Sequence, residues 1–207
     1  LTTKSASIKP RIQRFAQEYP EYSFEEAIDH IKPDVLIGAT GVAGTFNEAI
    51  IRKMTQANQR PVIIALSNPT SHTECTAEQA YQWSGGQVIF ASGSRFGPVC
   101  YAGEWFRPAQ GNNAYIYPGV GLGVYASSAR LVTQRMFLKA AEILAQSVTD
   151  QELNAGAIYP SLTRVRAVSH AIAVTICRVA IQEGLVKTKL PEDLDSYVKS
   201  LMYDPSY

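Results

Sequence analysis

Several chemistries are missing from this sequence. Among 207 residues there are three cysteines, Cys75, Cys100 and Cys177, widely spaced and without a CxxC pair. An odd count at that spacing argues for free thiols in a reducing compartment rather than a disulfide framework. His30, His72 and His170 are scattered and show no metal-ligand spacing. The formal net charge is only +1. Neither nucleic acid nor an anionic membrane is therefore expected as the main partner, although a few local cations could still bind a small anion. No signal peptide is visible, and no apolar run reaches the roughly 18 residues of a membrane span. A Walker A loop, a Ser-His-Asp arrangement, paired carboxylates and an HExxH pattern are all illegible. The chain begins at Leu1 rather than methionine, which suggests a processed chain or a fragment.

What is present is ordinary for a globular protein: 46% hydrophobic and 18% charged residues. The length suffices for one large domain or parts of two. The first half reads as alternating helices and strands. Ser23 and Glu26 form a capping box ahead of FEEAIDHI, which Pro33 ends. The apolar run 34–38 (DVLIG) reads as a buried parallel strand stopping at glycine. Thr45 and Glu48 suggest a second capping box, opening a helix to about Asn58. Residues 61–67 (PVIIALS) read as a second buried strand. Thr76 and Gln79 cap a third helix, which Gly85-Gly86 breaks, and 87–92 (QVIFAS) is a third strand. Strand, helix, strand, helix, strand with short connections indicates a doubly wound parallel sheet, an α/β fold. Ligands of such sheets bind beyond the carboxyl ends of the strands. Here those ends are Gly38-Ala39-Thr40, Ser67-Asn68-Pro69-Thr70 and Ser92-Gly93-Ser94, all small and polar.

After Asn113 the texture becomes helical. Residues 135–148 have clear helical periodicity. Thr149 and Glu152 cap a short helix closing near Gly156. Residues 163–184 make a long helix with a glycine stop, and 191–203 one more. GVGLGV (119–124) fails the dinucleotide fingerprint because Val124 stands where glycine is needed. It reads better as a close helix contact through Gly119 and Gly123. Asn68 offers an amide at a strand end, against an Asx turn before Pro69. Asn112 and Asn113 stand where the texture changes, and clefts form at such boundaries. If the chain is extended there, the two point to opposite sides. A paired-amide turn is the plain alternative. Lys4, Lys9, Arg11 and Arg14 form a basic cluster, either a solvated face or a flank for a 2′-phosphate. Arg95, Arg107, Arg164 and Arg166 could neutralise substrate carboxylates.

Five stretches together resemble one family. KPDVLIGATGVAGTF (32–46), RPVIIALSNPTSHTECTAEQAY (60–81), IFASGSRFGPV (89–99), PAQGNNAYIYPGVGLGV (108–124) and GAIYPSL (156–162) are similar to motifs of the malic enzymes. The resemblance runs from about Pro10 to Tyr207. It implies a Rossmann-type fold with a helical substrate-domain segment. The activity implied is oxidation of malate with NADP or NAD and decarboxylation to pyruvate and CO2 with Mn²⁺ or Mg²⁺. By motif match, Asn68 resembles the asparagine that contacts both the nicotinamide end and malate. Asn112 and Asn113 resemble the pair at the junction of cofactor and substrate domains, with Asn113 also on the cofactor side. Gly38, Ala39 and Thr40 match the loop near the nicotinamide ribose.

The family's general-base lysine, acid tyrosine, metal carboxylates and Gly-rich pyrophosphate loop lie upstream of the matched region. The resemblance therefore implies a C-terminal portion: residues 1–111 as the second half of the cofactor domain, 112–190 as a returning substrate-domain segment, and 191–207 as the start of a helical tail. It also implies that the 207-residue chain alone is inactive, with no catalytic or metal residue of its own. A homo-oligomer, dimer or tetramer, is expected, and a cytoplasmic location, with mitochondrial as the alternative. The basic cluster tilts the cofactor towards NADP. Two positions depart from the family: Arg95 replaces a usual proline, and Ala109 a usual glycine. The competing readings are a non-catalytic nucleotide-binding or assembly module, whose helix 163–183 would be an interface, and another nicotinamide-dependent oxidoreductase.

Overall fold

The computed structural model describes residues 9–204. Lys4 of the basic cluster lies outside them; Lys9, Arg11 and Arg14 are exposed on and beside the short helix α1 (Pro10–Gln13). Helix α2 (Phe24–Ile31) begins with the Ser23/Glu26 capping box and ends at Lys32 in the left-handed region. Strand β1 (Val35–Gly38) follows. Helix α3 (Glu48–Ala57) is capped by Asn47, whose side chain accepts from the Ile50 amide. The expected Thr45 cap is thus displaced by two residues. Thr45 instead donates to the Val42 carbonyl inside the preceding loop, at 2.7 Å. Then come β2 (Val62–Ala65), α4 (Ala77–Ser84, with the Thr76/Gln79 capping box and Gly85 left-handed) and β3 (Ile89–Ser92).

Two features have no counterpart in the sequence reading. Strands β4 (Val99–Tyr101) and β5 (Glu104–Phe106) form an antiparallel hairpin, turning through Ala102 and Gly103 at positive φ. The two-residue strand β6 (Ala109–Gln110) then joins the parallel sheet, whose order is β1-β2-β3-β6.

The sheet buries one face under α2, α3 and α4. Ile63, Ala65 and Phe90 pack there with Ile28, Ile50, Ile51, Met54, Ala80 and Tyr81. Strand β1 corrects the expectation of a fully buried strand. It is at the end of the sheet order, and Val35 and Ile37 on its other face are 47% and 60% exposed.

The second half is helical. Helix α5 (Tyr117–Ser127) crosses α8 (Val165–Gln182) at close range. A Cβ on Gly119 would lie 2.7 Å from Ile172 Cβ, and one on Gly123 2.6 Å from Ile176 Cβ. Two glycines four apart thus form the groove for an isoleucine ridge four apart. Around this contact pack α6 (Gln134–Gln146), the short α7 (Asp150–Asn154, with the Thr149/Glu152 capping box) and α9 (Leu194–Ser200). Core residues fall into one cluster drawn from 28–106 and two drawn from 115–201. The stretch Leu162–Gln182 has the length and mean hydropathy of a membrane span, although Arg164, Arg166 and Arg178 break it as an apolar run. Half of it is buried in the protein, as suits a core helix.

All three cysteines are free thiols. Burial pushes Cys75 up to about 12, with the neighbouring Glu74 charge adding to it, and Cys177 up to about 11. Both stay protonated and inert at neutral pH.

Candidate functional site

Parallel pairing aligns the strand ends. Gly38 is in register with Ala65, Ala65 with Ser92, and Ser92 with Gln110. The ladder continues one step beyond the strands: Leu66 donates to the Gly38 carbonyl, Gly93 to Ala65 and Gly111 to Ser92, each at 2.8 Å. Gly38–Thr40, Asn68 and Asn112–Asn113 therefore all emerge from the same carboxyl edge, where α/β sheets bind ligands.

Asn68 is exposed at that edge. Its Nδ2 donates to the Leu66 carbonyl at 3.2 Å, and its Oδ1 accepts from Ser94 Oγ at 2.9 Å. Ser94 thus ties the β2 end to the β3 end. The side chain is tied back to Leu66 and across to Ser94 rather than to the backbone after it.

Gly38 is buried, while Ala39 and Thr40 are exposed. The loop that follows is open: a Cβ on Gly41 or Gly44 would meet nothing within 4 Å. Beneath it lies a residue the sequence reading missed. Glu74 is fully buried. Its Oε1 accepts from the Thr40 amide at 2.8 Å, Thr40 Oγ1 at 2.9 Å and Ser67 Oγ at 2.5 Å. Its Oε2 accepts from the Ser67 amide at 3.3 Å. Burial alone would raise the carboxyl's pKa, but the bonds from Ser67 and Thr40 outweigh it and hold the group below its ordinary value. Glu74 is therefore charged at neutral pH.

The asparagine pair is split by a change of backbone. Asn112 is extended, and its Oδ1 caps a 3₁₀ turn (Asn113–Tyr115) by accepting from the Ala114 amide at 2.9 Å. Asn113 is already in the turn, so the pair does not alternate as extended residues would. Both line a cavity of about 420 Å³ with Leu66, Gly111, Ile116, Leu144 and Tyr159. Neither Asn68 nor Gly38–Thr40 lines that cavity, so the site has two parts on one edge. The GAIYPSL stretch supports the asparagine turn: Tyr115 donates to the Pro160 carbonyl at 2.5 Å and stacks on Tyr159.

Of the four arginines, Arg164 pairs with Glu152 at 3.2 Å and Arg166 donates to the Tyr203 carbonyl at 2.8 Å. Arg95 and Arg107 line a cavity of about 340 Å³ beside Gln110, Tyr115 and Tyr159.

A family model described as "malic enzyme, NAD binding domain" matches residues 1–181, through nearly all of α8. The chain belongs to the malic enzyme family. It is similar to the NADP-dependent malic enzyme of Dictyostelium discoideum, 43% identical across all of this chain and 38% of that protein. The chloroplastic NADP-dependent malic enzyme of Zea mays is 46% identical over 99% of this chain and 32% of its own. For the Columba livia NADP-dependent malic enzyme the figures are 42%, 98% and 37%. The chain thus spans about a third of the length of these relatives. Among solved structures, malic enzyme from Pyrococcus horikoshii Ot3 aligns with a TM-score of 0.60 at 25% identity, over 81% of this chain and 35% of that one. Entamoeba histolytica malic enzyme reaches a TM-score of 0.74 at 19% identity, over 97% and 39%, a likeness of fold. The parallel sheet is accordingly the Rossmann-type sheet of malic enzymes.

Proposed function

We propose that this chain is the cofactor- and substrate-positioning part of an NADP-dependent malic enzyme, which converts (S)-malate to pyruvate and CO2. The observation that carries this is the register that brings Gly38-Ala39-Thr40, Asn68 and Asn112-Asn113 to one sheet edge. The relatives' NADP dependence favours NADP over NAD. In this reading residues 1–111 are the second half of the cofactor domain, 112–190 a returning segment of the substrate domain and 191–207 the start of a tail. The working protein is a homo-oligomer.

The edge suits a nicotinamide dinucleotide. Its outer backbone is open at Gly41 and Gly44, and its exposed side chains include the amides of Asn68, Asn112 and Asn113 and the Thr40 hydroxyl. NADP, when bound, accepts a hydride from the hydroxyl carbon of malate. The residues here orient the partners for that transfer. The backbone at Gly38–Thr40 would hold the ribose near the nicotinamide. Asn68, held by Leu66 and Ser94, presents a fixed amide able to accept from a hydroxyl or donate to a carboxylate without adding charge. Asn112 and Asn113 do the same from the helical side, beside their cavity. Positioning of this kind can supply a large share of a barrier reduction.

The divalent metal does not fit these residues. Among the described residues no group of three or more His, Cys, Asp or Glu converges. No step is therefore assigned to it here, and the metal ligands and proton-transfer groups belong to the rest of the enzyme.

The test is an assay with malate, Mn²⁺ and either nucleotide, on this chain and on the longer polypeptide that carries it. NADP reduction by the longer polypeptide alone is expected. Turnover by the 207-residue chain would place the catalytic groups here and overturn the division of labour. No turnover by either would favour a non-catalytic nucleotide-binding module.

A further inference from the structure

We infer that Glu74 is a positioning residue for the nucleotide and substrate edge, acting through Thr40 and Ser67 to hold the loop after β1 against the loop after β2. The inference rests on the proposed function, in which that edge receives the ligand.

A buried carboxylate normally has a cation beside it, because taking the charge out of water is costly. Glu74 has no exposed surface, and among the described residues none of its bonds comes from a lysine, arginine or histidine. Its charge is balanced by four donors from just two residues. Both belong to strand-end loops: Thr40 lies two residues past β1, and Ser67 two past β2. An apolar residue in this place would leave all four donors without their acceptor, so the carboxylate is what lets the two loop ends meet here.

The clamp reaches one residue further through Ser67. The Ser67 hydroxyl gives its proton to Glu74, so its oxygen faces Gly41 as an acceptor and takes that amide at 2.9 Å. One buried charge thus sets the direction of two consecutive backbone amides, Thr40 and Gly41, in the loop assigned to the nicotinamide ribose. The segment around Glu74 braces the same loop. Gly44 donates to the Thr73 carbonyl, Phe46 to the Glu74 carbonyl, and His72 Nδ1 lies 3.0 Å from the Gly41 carbonyl. The arrangement also explains Gly38. A Cβ there would come within 2.7 Å of Glu74 Cγ and 2.6 Å of the Phe46 ring.

Glu74→Met tests this at similar side-chain length. It takes the acceptor away from all four donors of Thr40 and Ser67 at once. Amide hydrogen exchange and NADP titration by calorimetry are run on the longer polypeptide that carries this chain. Exchange at Thr40 and Gly41 should quicken by about tenfold or more, with Ile64 and Ala91 in the strands unchanged. NADP affinity should fall by about tenfold, the worth of one lost positioning contact. Ser67→Ala should quicken Gly41 and leave Thr40 protected, a split that general loosening would not produce. This variant decides the matter if Glu74→Met fails to fold. Equal changes across β1–β3, or none at Thr40 and Gly41, would overturn the clamp. Quickened loop exchange with undiminished NADP affinity would overturn its positioning role. A wild-type longer polypeptide that binds no NADP would instead count against the proposed function, and the exchange pattern would still decide the clamp.

Discussion

The two halves are held by different forces. In the helical half, α5 and α8 approach until the glycines of one meet the isoleucines of the other, and the contact is almost wholly apolar. In the sheet half, the parallel strands are only two to four residues long. What orders their carboxyl edge is a set of directed polar bonds centred on Glu74, Asn68 and Ser94. Apolar packing scales with area and is not directional, so it stabilises without aiming any group. Hydrogen bonds add little net stability each but fix atoms in place. The helical half thus supplies rigidity, and the sheet edge supplies aim.

This contrast can be broken from either side. The largest effect is expected from Ile176→Ala, which empties the groove on fully buried side-chain volume. It should cost about 3–4 kcal/mol, read as a lower midpoint in chemical denaturation. Gly123→Ala should cost about 2 kcal/mol net, because overpacking against Ile176 and the Ala173 carbonyl exceeds the gain in helix propensity. For both, NADP affinity of the folded fraction should be unchanged. If either shifts that affinity, the two halves are more tightly coupled than their separate cores suggest.

Asn68→Ala should do the reverse. Stability falls by about 1 kcal/mol or less, since the residue is exposed, while nucleotide affinity drops roughly tenfold. Asn112→Asp keeps an oxygen for the Ala114 amide, so the 3₁₀ turn survives with a change of about 0.5 kcal/mol or less. Any loss of ligand affinity in that variant then reports the other arm of the amide. The smallest effect concerns pH. Glu74 has a depressed folded-state pKa, so its contribution is full above the ordinary carboxylate range and is lost as pH falls through the lower folded value. Glu74→Gln should flatten the acid side of the stability profile below pH 4.5. An unchanged acid limb would mean that other carboxylates, such as the similarly depressed Glu152, control it.

Much of the fold was readable because its signals are local. The three capping boxes at Ser23, Thr76 and Thr149 each join residues three apart, and all three form. The glycine contacts of α5 follow from four-residue spacing. Thr45 misled because Asn47, two residues later, is the better-placed cap, and side-chain type alone does not choose between them. Strand β6 was missed since two residues carry no periodicity. Gly38, Thr40, Asn68, Asn112 and Asn113 stood out as candidates from motifs alone. The sequence alone could not separate a capping role from a ligand role for Asn112.

By itself, then, the sequence determined the α/β class, the order of helices and strands, and membership of the malic enzyme family. These depend on residues near one another along the chain or on long matched motifs. Tertiary structure alone decided that Glu74 lies under Thr40, 34 residues away, and beside Ser67. A lone glutamate ahead of a capping threonine carries no local mark. Its role exists only once parallel pairing has brought two strand ends to one edge and left the carboxylate there without water.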